Sequence, residues 1–251
     1  MDNSFDIASY PALPAARGVF VTGTDTGVGK TLVAGAIGRC LRESGKRVGV
    51  FKPVASGCVA GSGGELRSED GEFLAQCADR PHAMSDVVPV RYGEPLAPNI
   101  AAERANRPVD LEAVFAAYGR IVADSDCVVV EGVGGLLCPI TDEFWVIHLA
   151  KLCGLPLVLV ARPSLGTINH TLLTLHAARS AGLTVAGVVI NRYPAKTDDP
   201  AAETNIRQIA ERGRVSVLTL VADDPDSSVE SGRLGAHALR AVGRVDWEAM
   251  M

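Results

Sequence analysis

Paired cysteines, clustered positive charge and long apolar runs are all missing from this sequence, and each absence excludes a class of function. Its six cysteines, Cys40, Cys58, Cys77, Cys127, Cys138 and Cys153, stand apart with no CxxC spacing. That excludes a zinc ribbon or a redox dithiol and fits reduced thiols in a cytoplasmic protein. Net charge is −5 and no Lys/Arg run supplies a local basic face, so no nucleic-acid partner is expected. No apolar stretch reaches the roughly 18 residues that span a bilayer, so no membrane role is expected. Residues 1–17 carry Asp2 and Asp6 without a basic, apolar leader, and they read as a loose extension ending in Pro11 and Pro14.

What is present is an alternation of apolar runs and helical segments, in 251 residues of which 47 % are apolar. Strands are predicted at 18–23, 47–54, 127–132, 155–161, 183–191 and 214–221. Helices are predicted at 30–44, 68–78, 110–124, 167–182 and about 200–212, with one more and a frayed end in the tail 226–251. Proline-rich chain, with no predicted element, covers 81–108. The strands are apolar throughout rather than alternating, which means burial on both faces. That predicts an α/β fold: three layers, a mostly parallel sheet flanked by helices. No repeat or linker divides it, so 18–251 is read as one domain. In such sheets the chemistry sits at the carboxyl ends of the strands.

The first strand ends in VFVTGTDTGVGKT, residues 19–31, where five residues rather than the usual four separate Gly23 from Gly29-Lys30-Thr31. A glycine-rich loop entering a helix aims backbone N–H groups at one point, and the helix dipole favours an anion there. Lys30 would reach β/γ-phosphates and the Thr31 hydroxyl would ligate Mg²⁺. The competing reading is a glycine turn with a surface lysine; the buried strand before and helix after favour the phosphate loop. The second strand ends in Lys52-Pro53-Val54-Ala55-Ser56. Lys52 alone would be a solvated strand-end cation; beside a phosphate loop it sits at the reacting edge, with the Ser56 hydroxyl just beyond. The third ends in Val130-Glu131-Gly132-Val133-Gly134-Gly135. One carboxylate delivered beside a phosphate loop fits a magnesium site; a strand running into a flexible turn is the alternative. Asp70 is a second metal acid or a helix-capping residue. Asn191 offers donor and acceptor to a purine edge, or is a turn residue. His82, His148, His176 and His237 show no ligand spacing.

Together these residues resemble the dethiobiotin synthetase family, a group of P-loop NTPases. The resemblance is carried by VTGTDTGVGKT (21–31), KPVASG (52–57), LRSEDGEFL (66–74), EPLAPNIAA (94–102), VVVEGVGGLLCPI (128–140), LGTINHTLLT (165–174) and AGVVIN (186–191), in the family's order. It implies an ATP-dependent cyclo-ligase that joins 7,8-diaminononanoate and CO₂ through a carbamate and a carbamic-phosphoric anhydride, with Mg²⁺. It implies nucleotide binding by Thr26, Gly27, Val28, Gly29, Lys30, Thr31, Leu32, Asp70, Glu131, Gly132, Val133, Gly134, Asn191 and Arg192. Lys30 and Lys52 are implied as catalytic, Thr31, Asp70 and Glu131 as metal ligands, and Ser56 and Lys52 as substrate-binding. A homodimer is also implied, in which Gly166, Thr167, Ile168 and Asn169 open a helix that receives the substrate carboxylate from the partner subunit. Members often carry Gly-x-x-Pro after the last strand; here LTLVADDPD (218–226) has no glycine, and Val221, Ala222 or Asp223 is assigned the base contact. Thr204 falls where some members place a substrate-side tyrosine, and residues 1–17 have no assigned counterpart. Two other P-loop readings compete. A corrinoid amide ligase usually needs a glutaminase domain for which this chain has no room. A partition ATPase typically has a lysine where this loop has Thr24.

Overall fold

Valine-rich runs at the predicted strands form the centre of the molecule. The computed structural model describes residues 5–61, 63–194 and 200–251. In chain order its elements are β1 (Gly18–Gly23), α1 (Lys30–Glu43), β2 (Val48–Phe51), β3 (Val54–Ala55), β4 (Val59–Ala60), β5 (Leu66–Arg67), α2 (Glu69–Cys77), α3 (Met84–Val87) and β6 (Val90–Arg91). They continue with α4 (Pro98–Arg104), α5 (Leu111–Ala123), β7 (Cys127–Gly135), α6 (Val146–Cys153), β8 (Leu157–Ala161), α7 (Thr167–Ser180), β9 (Val185–Tyr193), α8 (Pro200–Gly213), β10 (Val217–Ala222) and α9 (Ala236–Val242).

Six strands form one parallel sheet in the order β10-β9-β8-β1-β7-β2. Successive β1 side chains enter opposite layers. Val19 and Val21 pack with Val33, Ile37 and Leu74 on the α1 and α2 side. Phe20 packs with Tyr118, Ile147 and Leu175 on the side of α5, α6 and α7. Burial on both faces is why these strands need no polar alternation. The chain adds β2 and β7 on one side of β1 and β8, β9 and β10 on the other. This reversal opens a crevice above the carboxyl end of β1, where the glycine-rich loop lies.

The structure departs from the sequence reading in several places. The predicted strand 47–54 stops at Phe51. Pro53 cannot donate to a ladder, and the chain turns away so that β3 pairs with β6 instead of continuing the main sheet. Helix α4 lies inside the proline-rich segment; Pro98 occupies its first turn, where a missing N–H costs nothing. Helix α6 falls where no element was predicted. It spans only eight residues, little more than two turns, and Trp145 N–H donates to His148 Nδ1 at 2.8 Å to close its start. The N-terminal segment is not loose over residues 5–17, although residues 1–4 lie outside the described chain. Tyr10 packs edge-on to Phe144 with ring centres 4.7 Å apart, Phe5 meets Trp145 at 6.2 Å, and Lys151 Nζ donates to the Phe5 carbonyl at 2.6 Å. The tail end is also held: Trp247 is buried and its indole N–H donates to the Val242 carbonyl at 2.9 Å. Among the described residues no helix is long and apolar enough to cross a membrane.

Candidate active site

The glycine-rich loop connects β1 to α1 through two left-handed glycines, Gly27 (φ 74°) and Gly29 (φ 89°). Gly29 is the N-cap of α1, and no side chain caps it. The free N–H groups of the first helical turn are therefore available to an anion. Lys30 opens the helix. It is buried, and its Nζ donates to the Asp25 carbonyl at 3.2 Å. Burial lowers its pKa, partly offset by Glu131 and Asp70. Asp25 in turn faces Arg162 at 3.5 Å, an ion pair that ties the loop to the end of β8.

Strand and loop ends converge on one buried charge cluster. Glu131 stands on β7 opposite Val21 of β1 and is fully buried. Lys52 Nζ lies 2.6 Å from Glu131 Oε1 and 2.8 Å from Asp70 Oδ2. The Thr31 hydroxyl donates to the same Glu131 oxygen at 2.9 Å. Asp70 reaches the cluster from the first turn of α2, whose N-cap is Ser68; the Ser68 hydroxyl accepts from the Gly71 N–H at 3.1 Å. Capping is thus done by Ser68, and the Asp70 carboxylate is left for Lys52.

With Lys30 beside it, the cluster brings two cations, Lys30 and Lys52, to two carboxylates, Asp70 and Glu131. Burial works against the Lys52 ammonium, but Glu131 and Asp70 outweigh it and hold its pKa above the ordinary lysine value. At neutral pH Lys52 is a cation and not a general base. Burial also opposes ionisation of Asp70, yet Lys52 and Thr31 pull its pKa below the ordinary carboxylate range. Glu131 is pushed up, by burial first, against the pull of Lys52. Its second oxygen, Oε2, is buried without a partner. That orphaned acceptor, a second carboxylate and a hydroxyl form a hard-oxygen donor set suited to Mg²⁺.

A cleft of about 410 Å³ lies over this cluster, walled by Thr26, Gly27, Gly29, Lys30, Thr31, Leu32, Lys52, Ser56, Glu69, Asp70, Glu131, Val133, Gly134, Arg192, Val229 and Glu230. A second cleft of about 300 Å³ shares Gly29, Leu32, Arg192, Val229 and Glu230 with it, so the two are continuous. Its other walls are Asn191, Ala222, Asp223, Asp224, Ser227 and Ser228. Arg192 stands where they meet, in a left-handed conformation (φ 56°) rare for a residue with a side chain. Most of the predicted residues are thus brought together. Val28 faces the core below the loop, and Gly132 packs under Val146 and Phe20, so both serve the site through backbone position. Val221 is likewise wholly buried, leaving Ala222 and Asp223 on the cleft wall. Gly166, Thr167, Ile168 and Asn169 line neither cleft; they begin α7, across the sheet from Lys52. Glu69, Asp224, Ser227, Ser228, Val229 and Glu230 line the clefts without having been predicted. DDPDSS in that last segment announces only a turn.

Comparison with known proteins identifies the family and the fold. A family model described as an AAA domain matches residues 17–231. A protein named ATP-dependent dethiobiotin synthetase from Anaeromyxobacter dehalogenans is 42 % identical over 88 % of this chain and 96 % of its own length. One of the same name from Methanococcus vannielii is 36 % identical over 86 % of this chain and 98 % of its own. Among solved structures, the septum site-determining protein MinD with Mg-ADP from Pyrococcus horikoshii aligns over 91 % of this chain at a TM-score of 0.55 and 16 % identity. A ParA family ATPase from Chlorobium tepidum aligns over 94 % at 0.56 and 14 % identity. At such identities the two structures speak for the fold alone.

Proposed function

We propose a division of labour among the cleft residues, from the premise that the chain belongs to the ATP-dependent dethiobiotin synthetase family. Its reaction is the ATP-dependent carboxylation and ring closure of 7,8-diaminononanoate to dethiobiotin. One amine adds to CO₂ and loses a proton, giving a carbamate. A carbamate oxygen then takes the γ-phosphoryl group and the bond to ADP breaks. The second amine attacks the carbamoyl carbon, the C–O bond to phosphate breaks, and the cyclic urea leaves with ADP and phosphate.

In this reading Thr26–Leu32 cradle the phosphates through N–H groups, and Lys30 moves from the Asp25 carbonyl to the β/γ-oxygens. Lys52 is the fixed cation on the transferring group and the carbamate, since phosphoryl transfer needs positioning and charge neutralisation more than a nucleophilic side chain. Thr31, Asp70 and Glu131 hold Mg²⁺, which when bound neutralises charge on the phosphate oxygens. Ser56 hydrogen-bonds the diamine or carbamate. Asn191, Arg192, Ala222 and Asp223 hold the nucleoside. The observation that carries the reading is the buried Lys52 ammonium between Glu131 and Asp70, beside the phosphate loop.

The active unit is a homodimer in this proposal, with the carboxylate of the diamine on the N–H groups at Gly166, Thr167, Ile168 and Asn169 of the partner's α7. The support is an apolar face around that helix: Leu165 is 84 % exposed, Leu173 60 % and Leu137 48 %. Exposed leucines on neighbouring elements are the kind of surface a second copy would cover. Expression in a bacterium lacking dethiobiotin synthetase tests the whole assignment. Growth without biotin is the expected result, and no growth with folded protein present would refute it.

A further inference from the structure

Asn191 holds the phosphate loop as well as facing the base cleft. It is 1 % exposed at the end of β9, and its Nδ2 donates to the Val28 carbonyl at 2.9 Å. Only the amide NH₂ can donate to a carbonyl, so the side-chain orientation is settled by chemistry. A Cβ at Gly29 would lie 2.0 Å from that nitrogen, so the Asn191 amide fills the space a side chain at position 29 would need. Asn191 Oδ1 is buried with no partner, and the residue lines the 300 Å³ cleft.

The Val28–Gly29 peptide is trans, as no cis bond occurs in the described chain. In a trans peptide the C=O and the N–H point in opposite directions. Anchoring the Val28 carbonyl on Asn191 therefore turns the Gly29 N–H away from β9. Gly29 belongs to the walls of both clefts and immediately precedes Lys30. One rigid amide plane thus sets the direction of a loop N–H with its nitrogen and holds an unpartnered, buried oxygen in a residue of the base-cleft wall.

We propose that Asn191 is a positioning residue that couples base recognition to phosphate-loop geometry. A base carrying an exocyclic amine donates to Oδ1 and locks the amide with Nδ2 on Val28. A base with a keto group at that place cannot donate, and leaves the amide and the loop less constrained. Base identity then changes the rate of phosphoryl transfer, not only the affinity. This inference rests on the nucleotide reading above, and wild-type dethiobiotin formation from ATP tests that reading separately.

The experiment compares kcat and KM for ATP and ITP in the wild type, Asn191→Ala and Asn191→Ser, with diamine and CO₂ saturating. Serine keeps a polar group too short to reach Val28. In the wild type, kcat with ITP should fall at least tenfold below kcat with ATP. In both variants kcat with ATP should fall about as far, because misaiming one preorganised donor costs on the order of 10²-fold in turnover. The ATP/ITP difference in kcat should then vanish. Overturning results are wild-type kcat equal for the two nucleotides with only KM changed, or variants whose KM rises at unchanged kcat. The wild-type comparison needs no variant and decides the matter even if one fails to fold.

Discussion

Replacing Lys52 by methionine keeps the aliphatic stem and removes the charge. In the structure that charge is the shared partner of two carboxylates, 2.6 Å from Glu131 and 2.8 Å from Asp70, with Lys52 only 4 % exposed. Breaking a buried pair by deleting one partner costs about 3–5 kcal/mol, because the other charge is left unpaired. For a chain of this size that corresponds to a fall in Tm of roughly 6–20 °C. The penalty should depend on pH. Glu131 already titrates above the ordinary range, through burial first, and losing Lys52 raises it further. A folded-state pKa above the unfolded value favours folding below the unfolded pKa, and this contribution is lost as pH rises. The deficit of Lys52→Met is therefore largest at neutral and alkaline pH and shrinks as pH approaches the ordinary Glu value of about 4.3. Adding Glu131→Gln to Lys52→Met removes the orphaned charge and should recover much of the stability. For activity, loss of the fixed cation should lower kcat by on the order of 10²–10³-fold, while ATP remains bound by the loop. Calorimetric melting at pH 5 and 8, with dethiobiotin quantified by mass spectrometry, checks both halves. A variant with wild-type Tm at pH 8, or with kcat within threefold of wild type, would sink the reasoning.

Three further outcomes follow from the fold. Leu173→Glu should turn a dimer into a monomer in sedimentation and cut turnover at least tenfold without unfolding α7; a variant that stays dimeric and active speaks against the proposed interface. Deleting residues 1–14 removes the Phe5 and Tyr10 rings from Trp145, Phe144 and His148, for roughly 2–4 kcal/mol and a Tm lower by roughly 4–16 °C; an unchanged melting curve would show the segment to be passive. Asp224 accepts from the N–H groups of Ala238 (3.1 Å) and Asp226 (3.2 Å); burial opposes ionisation, but these bonds hold its pKa below the ordinary carboxylate range. Its contribution is thus present above the unfolded value of about 3.9 and lost as pH falls through the lower folded value, so Asp224→Ala should cost about 1 kcal/mol at pH 7 in urea unfolding and progressively less below pH 4.

The central sheet was legible because its strands are buried on both faces. Runs such as CVVVEG and LPLVLVA carry no polar alternation, and their number and parallel direction followed. The charge cluster was legible for a related reason: Lys52 directly follows β2, Glu131 closes the apolar run of β7, and Lys30 ends the glycine-rich loop after β1. Two kinds of feature escaped. Short elements such as the eight-residue α6 span too few turns for a helical period to stand out. Contacts formed by long-range docking, such as Phe5 and Tyr10 on the α6 segment or Ser227–Glu230 on the nucleotide cleft, leave no periodic mark in the sequence. Asn191 lies between these cases: its position at a strand end was readable, but its bond to Val28, 163 residues away, was not.

The most direct test of the account is isotopic. Purified protein would be given 7,8-diaminononanoate, MgATP and CO₂ labelled with ¹⁸O, and the released phosphate and the dethiobiotin analysed by mass spectrometry. Attack of a carbamate oxygen on the γ-phosphoryl group, followed by ring closure, leaves one ¹⁸O in each phosphate and one in the urea carbonyl. Unlabelled phosphate, or ATP hydrolysis without dethiobiotin, would contradict it.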